Sequence, residues 1–512
     1  MLDNGLRYAI LPNAEPPNRV SLRLFVDAGS LMETDEQQGL AHFLEHMAFN
    51  GTTNFPAGEM VEYFQRLGMA FGSHTNAHTS FNETVYKLEL PNSEDALLDE
   101  GFKLLRDYAD GMKLGEDEIE KERGVIMSEK RSRDSVGWRT MVEQLGFILD
   151  GNLAASRLPI GTEEVIQGAP REEFVDFYEK WYTPDRMVVI AVGEVEVPEI
   201  EELVKKHFAS MEPVAEKRAW PDLSHINERG LAVHFHPEPE AGDVSVSIDT
   251  IAPRLNEPDT LASRARKLRI DLANGMLTRR IGKLAKAEDA PITSGSAYTY
   301  DLYDLNFAEY SGVEVSCQPQ NWKAAMKLAE QELRRALEYG FTEAELTEAK
   351  ANVENRAELA AKSMGTRKSR DLANLLAARI GERNVFTDPA ADLPRIQAEL
   401  EKVTAEQCRE LLREVWSGEH ETLLLVTGNI EIEDAKKTIL ATYEASQATA
   451  VEPPAEDEEL EFAYAELPDA GEVADTKVIE DLEITQARFA NQVRVNLKQT
   501  DFEDGAVYVK AR

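Results

Sequence analysis

Cysteine is almost missing from this chain: Cys317 and Cys408, far apart in sequence, are the two in 512 residues. They make no disulfide framework and no C-x-x-C site, so the redox compartment is left open. Long apolar runs are missing too, and nothing approaches the roughly 20 residues that cross a bilayer. Residues 1–30 hold no basic-then-apolar leader; Met1–Gly5 runs straight into the strand-like Leu6-Arg7-Tyr8-Ala9-Ile10-Leu11. An exported or periplasmic location and a cytoplasmic one therefore both stay open. Basic charge is short, with 56 Lys and Arg against 94 Asp and Glu, a net charge of −38. Without a basic stripe, nucleic acid is excluded as a partner, and cationic or neutral peptides suit the surface better.

Histidine is sparse as well, nine in all, yet two fall within His42-Phe43-Leu44-Glu45-His46. On a helix, positions i, i+3 and i+4 share one face, so two imidazoles and a carboxylate stand together, as a divalent metal requires. The order H-x-x-E-H is the zincin motif reversed. Thr34-Asp35-Glu36-Gln37 supplies a helix start, Leu40, Phe43, Leu44 and Met47 an apolar side, and Asn50-Gly51 an end. A hydrolytic zinc takes three protein ligands and leaves one position open. The helix expected over Asp117–Arg133 offers Glu118, Glu120, Glu122 and Glu129 for the third. Glu122 and Glu129, two turns apart, share a face; spacing alone does not choose between them.

One pattern occurs twice. Glu172–Phe208 reads helix, apolar strand Met187–Val192, Gly193, helix; Glu406–Tyr443 repeats it through Leu423–Val426 and Gly428. Trp181 to Gly193 and Trp416 to Gly428 are both twelve residues apart, which indicates duplication. The expected architecture is α+β: two homologous domains, each a mainly antiparallel sheet with helices on one face. They span 1–215 and 228–446, joined through Arg218–Asn227. Long amphipathic helices are expected over Thr342–Ile380, from Leu346, Val353, Leu359, Leu372 and Leu376. Residues 447–480 read as an acidic linker, with ten acidic residues and no Lys or Arg from Glu452 to Asp475. Residues 481–512 then open a third such domain. Phe489–Leu497 echoes Leu2–Ile10, and Val507 and Val509 alternate like a second strand. An opening hairpin cannot bury its own face, so the chain reads as the front part of a longer protein.

His42–His46 with Asn50-Gly51-Thr52, Asn76-Ala77-His78-Thr79 with Thr84-Val85-Tyr86, and Glu120–Glu129 together resemble the insulinase/pitrilysin family of zinc peptidases, the inverzincins. The resemblance is dense over 2–200, weaker through the second domain, and resumes at 484–512. It implies one Zn²⁺ per chain, held by His42, His46 and Glu129, with Glu122 as a supporting carboxylate. It also implies an edge strand beside the zinc, here Asn76, Ala77, His78 and Thr79, that pairs with a substrate backbone. Glu45 would take the proton of the activated water; Glu45 as ligand with Glu129 as base is the alternative. Full members close two such halves around a peptide chamber. The resemblance thus implies low activity until a missing C-terminal half, or another chain, completes it.

The implied function is a zinc endopeptidase acting on unfolded peptides or small polypeptides. The alternatives are a processing peptidase with specific precursors and a non-catalytic chamber subunit. Manganese or cobalt would suit the same donors. His74 and His78 also stand at i, i+4, but Ala70–Thr79 reads as extended, which keeps them apart. His234 and His236 share a strand face without an evident acidic partner and read as structural. Tyr298, Tyr300, Tyr303, Phe307 and Tyr310 suit sheet packing.

Overall fold

The computed structural model describes residues 1–59, 65–66, 69–70, 72–213, 218–253, 257–302, 307–417, 420–454, 471–501 and 507–511. Phe71, Tyr303 and most of the acidic stretch, 455–470, lie outside the described residues.

Five strands form the first sheet: β1 (Arg7–Pro12), β2 (Val20–Val26), β3 (Thr75–Thr79), β4 (Thr84–Leu90) and β5 (Met187–Gly193). Their spatial order is β1-β5-β2-β4-β3, antiparallel throughout except that β1 runs parallel to β5. The second sheet comprises β6 (Leu231–Pro237), β7 (Val244–Pro253), β8 (Ser294–Asp301), β9 (Ala308–Cys317) and β10 (Glu421–Gly428). Its order, β6-β10-β7-β9-β8, repeats the first, with β6 and β10 as the parallel pair. The two glycines of the repeated Trp–strand–Gly spacing serve the same purpose. A Cβ on Gly193 would come within 2.4 Å of the Arg19 carbonyl, and one on Gly428 within 2.3 Å of the Asp243 carbonyl. At both places the last strand meets the entry to the second strand too closely for a side chain.

On β2, Val20, Leu22, Leu24 and Val26 face the first unit's own helices, while Phe25 lies on the other side. That other face is not left to solvent. Phe25, Val85, Val188, Ile190 and Val192 pack against Leu372, Ala373, Leu376 and Ala377 of the helix Ser369–Gly381, which belongs to the second unit. The exchange is reciprocal. The helix Val136–Ile148 of the first unit carries Leu145 and Ile148 into a core that also holds Leu423 and Leu425 of β10. Each sheet is thus covered by its own helices on one face and by a helix of its neighbour on the other. Burial on both faces is why Val188–Val192 is a continuous apolar run rather than an alternating one.

Four local expectations need correction. The motif helix begins at Leu40, not at Thr34; Asp35–Gln37 is a separate 3-10 turn, because Gly39 at φ +102° breaks the path between them. The extended run starts only at Thr75, since Ser73 and His74 sit in a turn closed by the His74 N–H on the Ala70 carbonyl. The end of the linker is structured: β11 (Val473–Ile479) pairs with β12 (Ile484–Phe489), and β12 with β13 (Arg494–Leu497), as an exposed antiparallel meander. Val507 and Val509 lie outside regular structure and pair with nothing described. Residues 218–229, between the two units, have no regular structure but are tethered. Asn152 Nδ2 donates to the carbonyls of Leu223 and His225, and Trp220 Nε1 to Asp27.

Candidate metal centre

The helix Leu40–Met47 turns Leu40, Phe43, Leu44 and Met47 into the first core, where Phe43 meets Phe174 edge-on at 4.8 Å. That orientation sends His42, Glu45 and His46 to the opposite side. The helix start has no side-chain cap of its own. The buried carboxylate of Glu33 instead accepts the N–H groups of Gly39 (2.9 Å) and Ala41 (2.8 Å). Burial pushes the Glu33 carboxyl up to about 8 against the pull of those two donors and of Arg157. Gly39 also crosses the loop at Gly161, whose Cα a Cβ on Gly39 would approach to 2.9 Å.

A second helix, Glu116–Ser132, buries Ile119, Ile126 and Met127 and brings Glu122 and Glu129 to the histidines. Glu118 and Glu120 point elsewhere, into surface pairs with Lys121 and Arg123. Glu129 Oε2 lies 3.5 Å from His42 Nε2 and 3.4 Å from His46 Nε2. Glu122 Oε1 accepts from His46 Nδ1 at 2.8 Å, while its other oxygen accepts from Asn50 Nδ2 at 2.9 Å. Arg133, one turn beyond Glu129, holds the outer oxygen of that carboxylate.

Two imidazoles and one carboxylate are the borderline donor set that zinc accepts. With Zn–N and Zn–O near 2.0–2.1 Å, tetrahedral ligand atoms stand about 3.4 Å apart. The carboxylate-to-imidazole distances match that edge length. Among the described residues, His42, His46 and Glu129 are the one group of three His, Cys, Asp or Glu whose ligand atoms lie within 4.8 Å of one another.

The electrostatics separate the two imidazoles. Burial, and the neighbouring His46, lower His42 to about 4. Burial opposes charge on His46 too, but hydrogen bonds to Glu122 and Glu129 outweigh it and raise this imidazole to about 9. Glu129 falls to about 2 through its contacts with His46 and Arg133, against the desolvation it suffers. Glu45 is raised by burial, partly offset by the Thr79 hydroxyl, which donates to its Oε2 at 2.6 Å.

Asn76–Thr79 lies on β3, at the outer edge of the sheet, bonded on one side to β4. His74 and His78 do not converge: His78 Nε2 meets Glu83 at 3.2 Å, while His74 Nδ1 meets Ser73 in the preceding turn. His234 and His236 do have acidic neighbours, Glu143 at 4.0 Å and Glu238 at 3.8 Å, both supplied from outside their strand. Tyr298, Tyr300 and Tyr310 pack on one another, and Tyr298 donates to the buried Asp249. Sequence reasoning missed Glu33, Asn50 as a partner of Glu122, and Arg133. The i, i+4 spacing of Glu129 and Arg133 could have shown the last, whereas no local pattern marks Glu33.

Residues 8–144 match the insulinase family (peptidase family M16), and residues 169–353 match the peptidase M16 inactive domain. Among curated proteins, the chain is 29% identical over 395 residues to the probable zinc protease PqqL of Escherichia coli, covering 76% of this chain and 41% of that protein. It is 28% identical over 404 residues to the chloroplastic stromal processing peptidase of Arabidopsis thaliana, covering 68% of this chain and 31% of that one. The chain thus spans less than half the length of these relatives. The crystal structure of the first half of the periplasmic protease PqqL from Escherichia coli superposes with a TM-score of 0.80 at 25% identity, covering 89% of this chain and 97% of that one.

Proposed function

For a chain that belongs to the insulinase (M16) peptidase family, we propose zinc-dependent endopeptidase activity on unfolded peptides or small polypeptides. One observation carries this reading: three ligand atoms from two helices meet within 4.8 Å of one another, with Glu45 on the same helical turn. His42 Nε2, His46 Nε2 and Glu129 Oε2 would hold one Zn²⁺. When bound, zinc supplies Lewis acidity to a water and to a peptide carbonyl.

The remaining work falls to side chains. Glu45 accepts the water's proton and returns it to the leaving amine. Glu122 takes the Nδ1 hydrogen of His46, fixing the ring so that Nε2 faces Glu129. Glu129, within 3.5 Å of both imidazoles, suits the ligand role better than that of base. The outer edge of β3, Asn76–Thr79, offers main-chain hydrogen bonds to an extended peptide and so binds with little sequence preference.

The test is Glu45→Gln. It keeps zinc by metal analysis and lowers turnover of a mixed peptide library by roughly 10²–10⁴-fold. Full activity in that variant, or no chelator-sensitive cleavage by wild type even when a C-terminal half is supplied, sinks the reading. A relative named as a processing peptidase favours a second reading, action on specific precursors. Cleavage at one site rather than many would select it.

A further inference from the structure

Glu45 is held from outside its own helix. Its Oε2 takes the hydroxyl of Thr79 at 2.6 Å, and no described group hydrogen-bonds Oε1. Thr79 is the last residue of β3, paired with Thr84 across the hairpin, on the strand at the free edge of the sheet. The same helix-to-edge-strand tie exists in the second unit, built differently. There Thr278 of the helix Leu261–Leu284 is bonded to the main chain of Ala297 on the edge strand β8, accepting its N–H at 2.9 Å and donating to its carbonyl at 3.2 Å. In that unit every group in the tie is neutral, Asn274 Nδ2 of the same helix also donating to Thr299 Oγ1 of β8 at 2.9 Å. In the first unit the helix contributes a carboxylate and the strand a hydroxyl, so one carboxylate oxygen is fixed and its twin is left for another donor.

We propose that Thr79 is a positioning residue for Glu45: its hydroxyl sets the carboxylate rotamer that aims Oε1 at the attacking water. The proposal rests on the peptidase reading above. It adds that the strand offering main-chain bonds to a peptide is the strand that aims the base. A peptide lying along β3 would therefore be registered against the proton acceptor through one side chain. A carboxylate free to rotate about its last torsion spends much of its time misaimed, and a displacement of about 1 Å can cost on the order of 10²-fold in rate.

The experiment compares Thr79→Val, which keeps shape and removes the hydroxyl, with Thr79→Ser, which restores it. Four quantities are read on the 512-residue chain: bound zinc, affinity for a peptide with a reduced, uncleavable bond, KM and kcat. Thr79→Val is expected to keep zinc, peptide affinity and KM within about twofold while kcat falls by about 10²-fold. Thr79→Ser is expected to recover most of that loss. Equal turnover in wild type and Thr79→Val overturns the positioning role and leaves the peptidase reading standing. Loss of zinc or peptide affinity in Thr79→Val also overturns it, since the hydroxyl would then support the strand rather than the base. If zinc-loaded wild type cleaves nothing even when a C-terminal half is supplied, the peptidase reading falls and takes this role with it.

Discussion

His46 stands between two carboxylates, Glu122 on Nδ1 and Glu129 facing Nε2, and that position makes its proton a competitor of the metal. With its pKa raised to about 9, the metal-free site carries a proton on this ring at neutral pH. A cation binding at Nε2 must displace it. Zinc affinity should therefore fall about tenfold per pH unit below about 9, and more steeply below about 4, where His42 also protonates. Competition titrations against a chelator at several pH values would measure the slope, and a flat profile from 6 to 8 would contradict the arrangement. The sign for folding is the opposite. The folded value exceeds the ordinary 6.5, so the metal-free fold gains stability that is complete below about 6.5 and lost as pH rises through about 9. Thermal unfolding of chelated protein across that range would show the decline.

At the scale of an element, the motif helix is eight residues long and could not hold its shape alone. Its first turn is secured by Glu33, whose two oxygens take the N–H groups of Gly39 and Ala41 immediately before His42. Glu33→Ala leaves both donors buried without an acceptor, at a cost of about 1–3 kcal/mol each. We expect lower stability in denaturant and weaker zinc binding, because the first ligand sits one residue beyond the second donor. Unchanged zinc affinity would show that the crossing at Gly161, not the carboxylate, holds the turn. The second helix works differently. It is largely polar, and its position is set by three buried residues, Ile119, Ile126 and Met127, with Glu122 and Glu129 on the remaining inward face.

For the whole molecule, the decisive feature is the reciprocal exchange of helices between two units of the same topology. Leu372 and Leu376 do not serve the core of the unit that encodes them; they cover the outer face of the first sheet beside Phe25 and Val188. Leu372→Ala should destabilise the chain by about 2–5 kcal/mol, as for other buried leucines. Leu359→Ala, on an exposed position of the preceding helix, should change it by less than about 0.5 kcal/mol. Equal effects in equilibrium unfolding would argue that the seam contributes nothing. Because the same sheet carries β3, loosening the seam should reach the edge beside the metal centre. No described helix is long and apolar enough to cross a membrane.

The amino-acid sequence by itself determined the local parts: the helical face of His42, Glu45 and His46, the Glu122/Glu129 pair, the duplicated unit and its strands. Each follows from a short period, 3.6 or 2, or from a fixed spacing that survives without neighbours. Which glutamate approaches both imidazoles emerged only from the packing, because the five on that helix are chemically alike and differ in which side of it faces the histidines. Only the tertiary structure revealed Glu33 and the Thr79 tie, since a hydrogen bond between distant loops leaves no periodicity. It also decided where the helix Ser369–Gly381 goes. An amphipathic stripe states that a face must be buried, and says nothing about whose sheet will bury it.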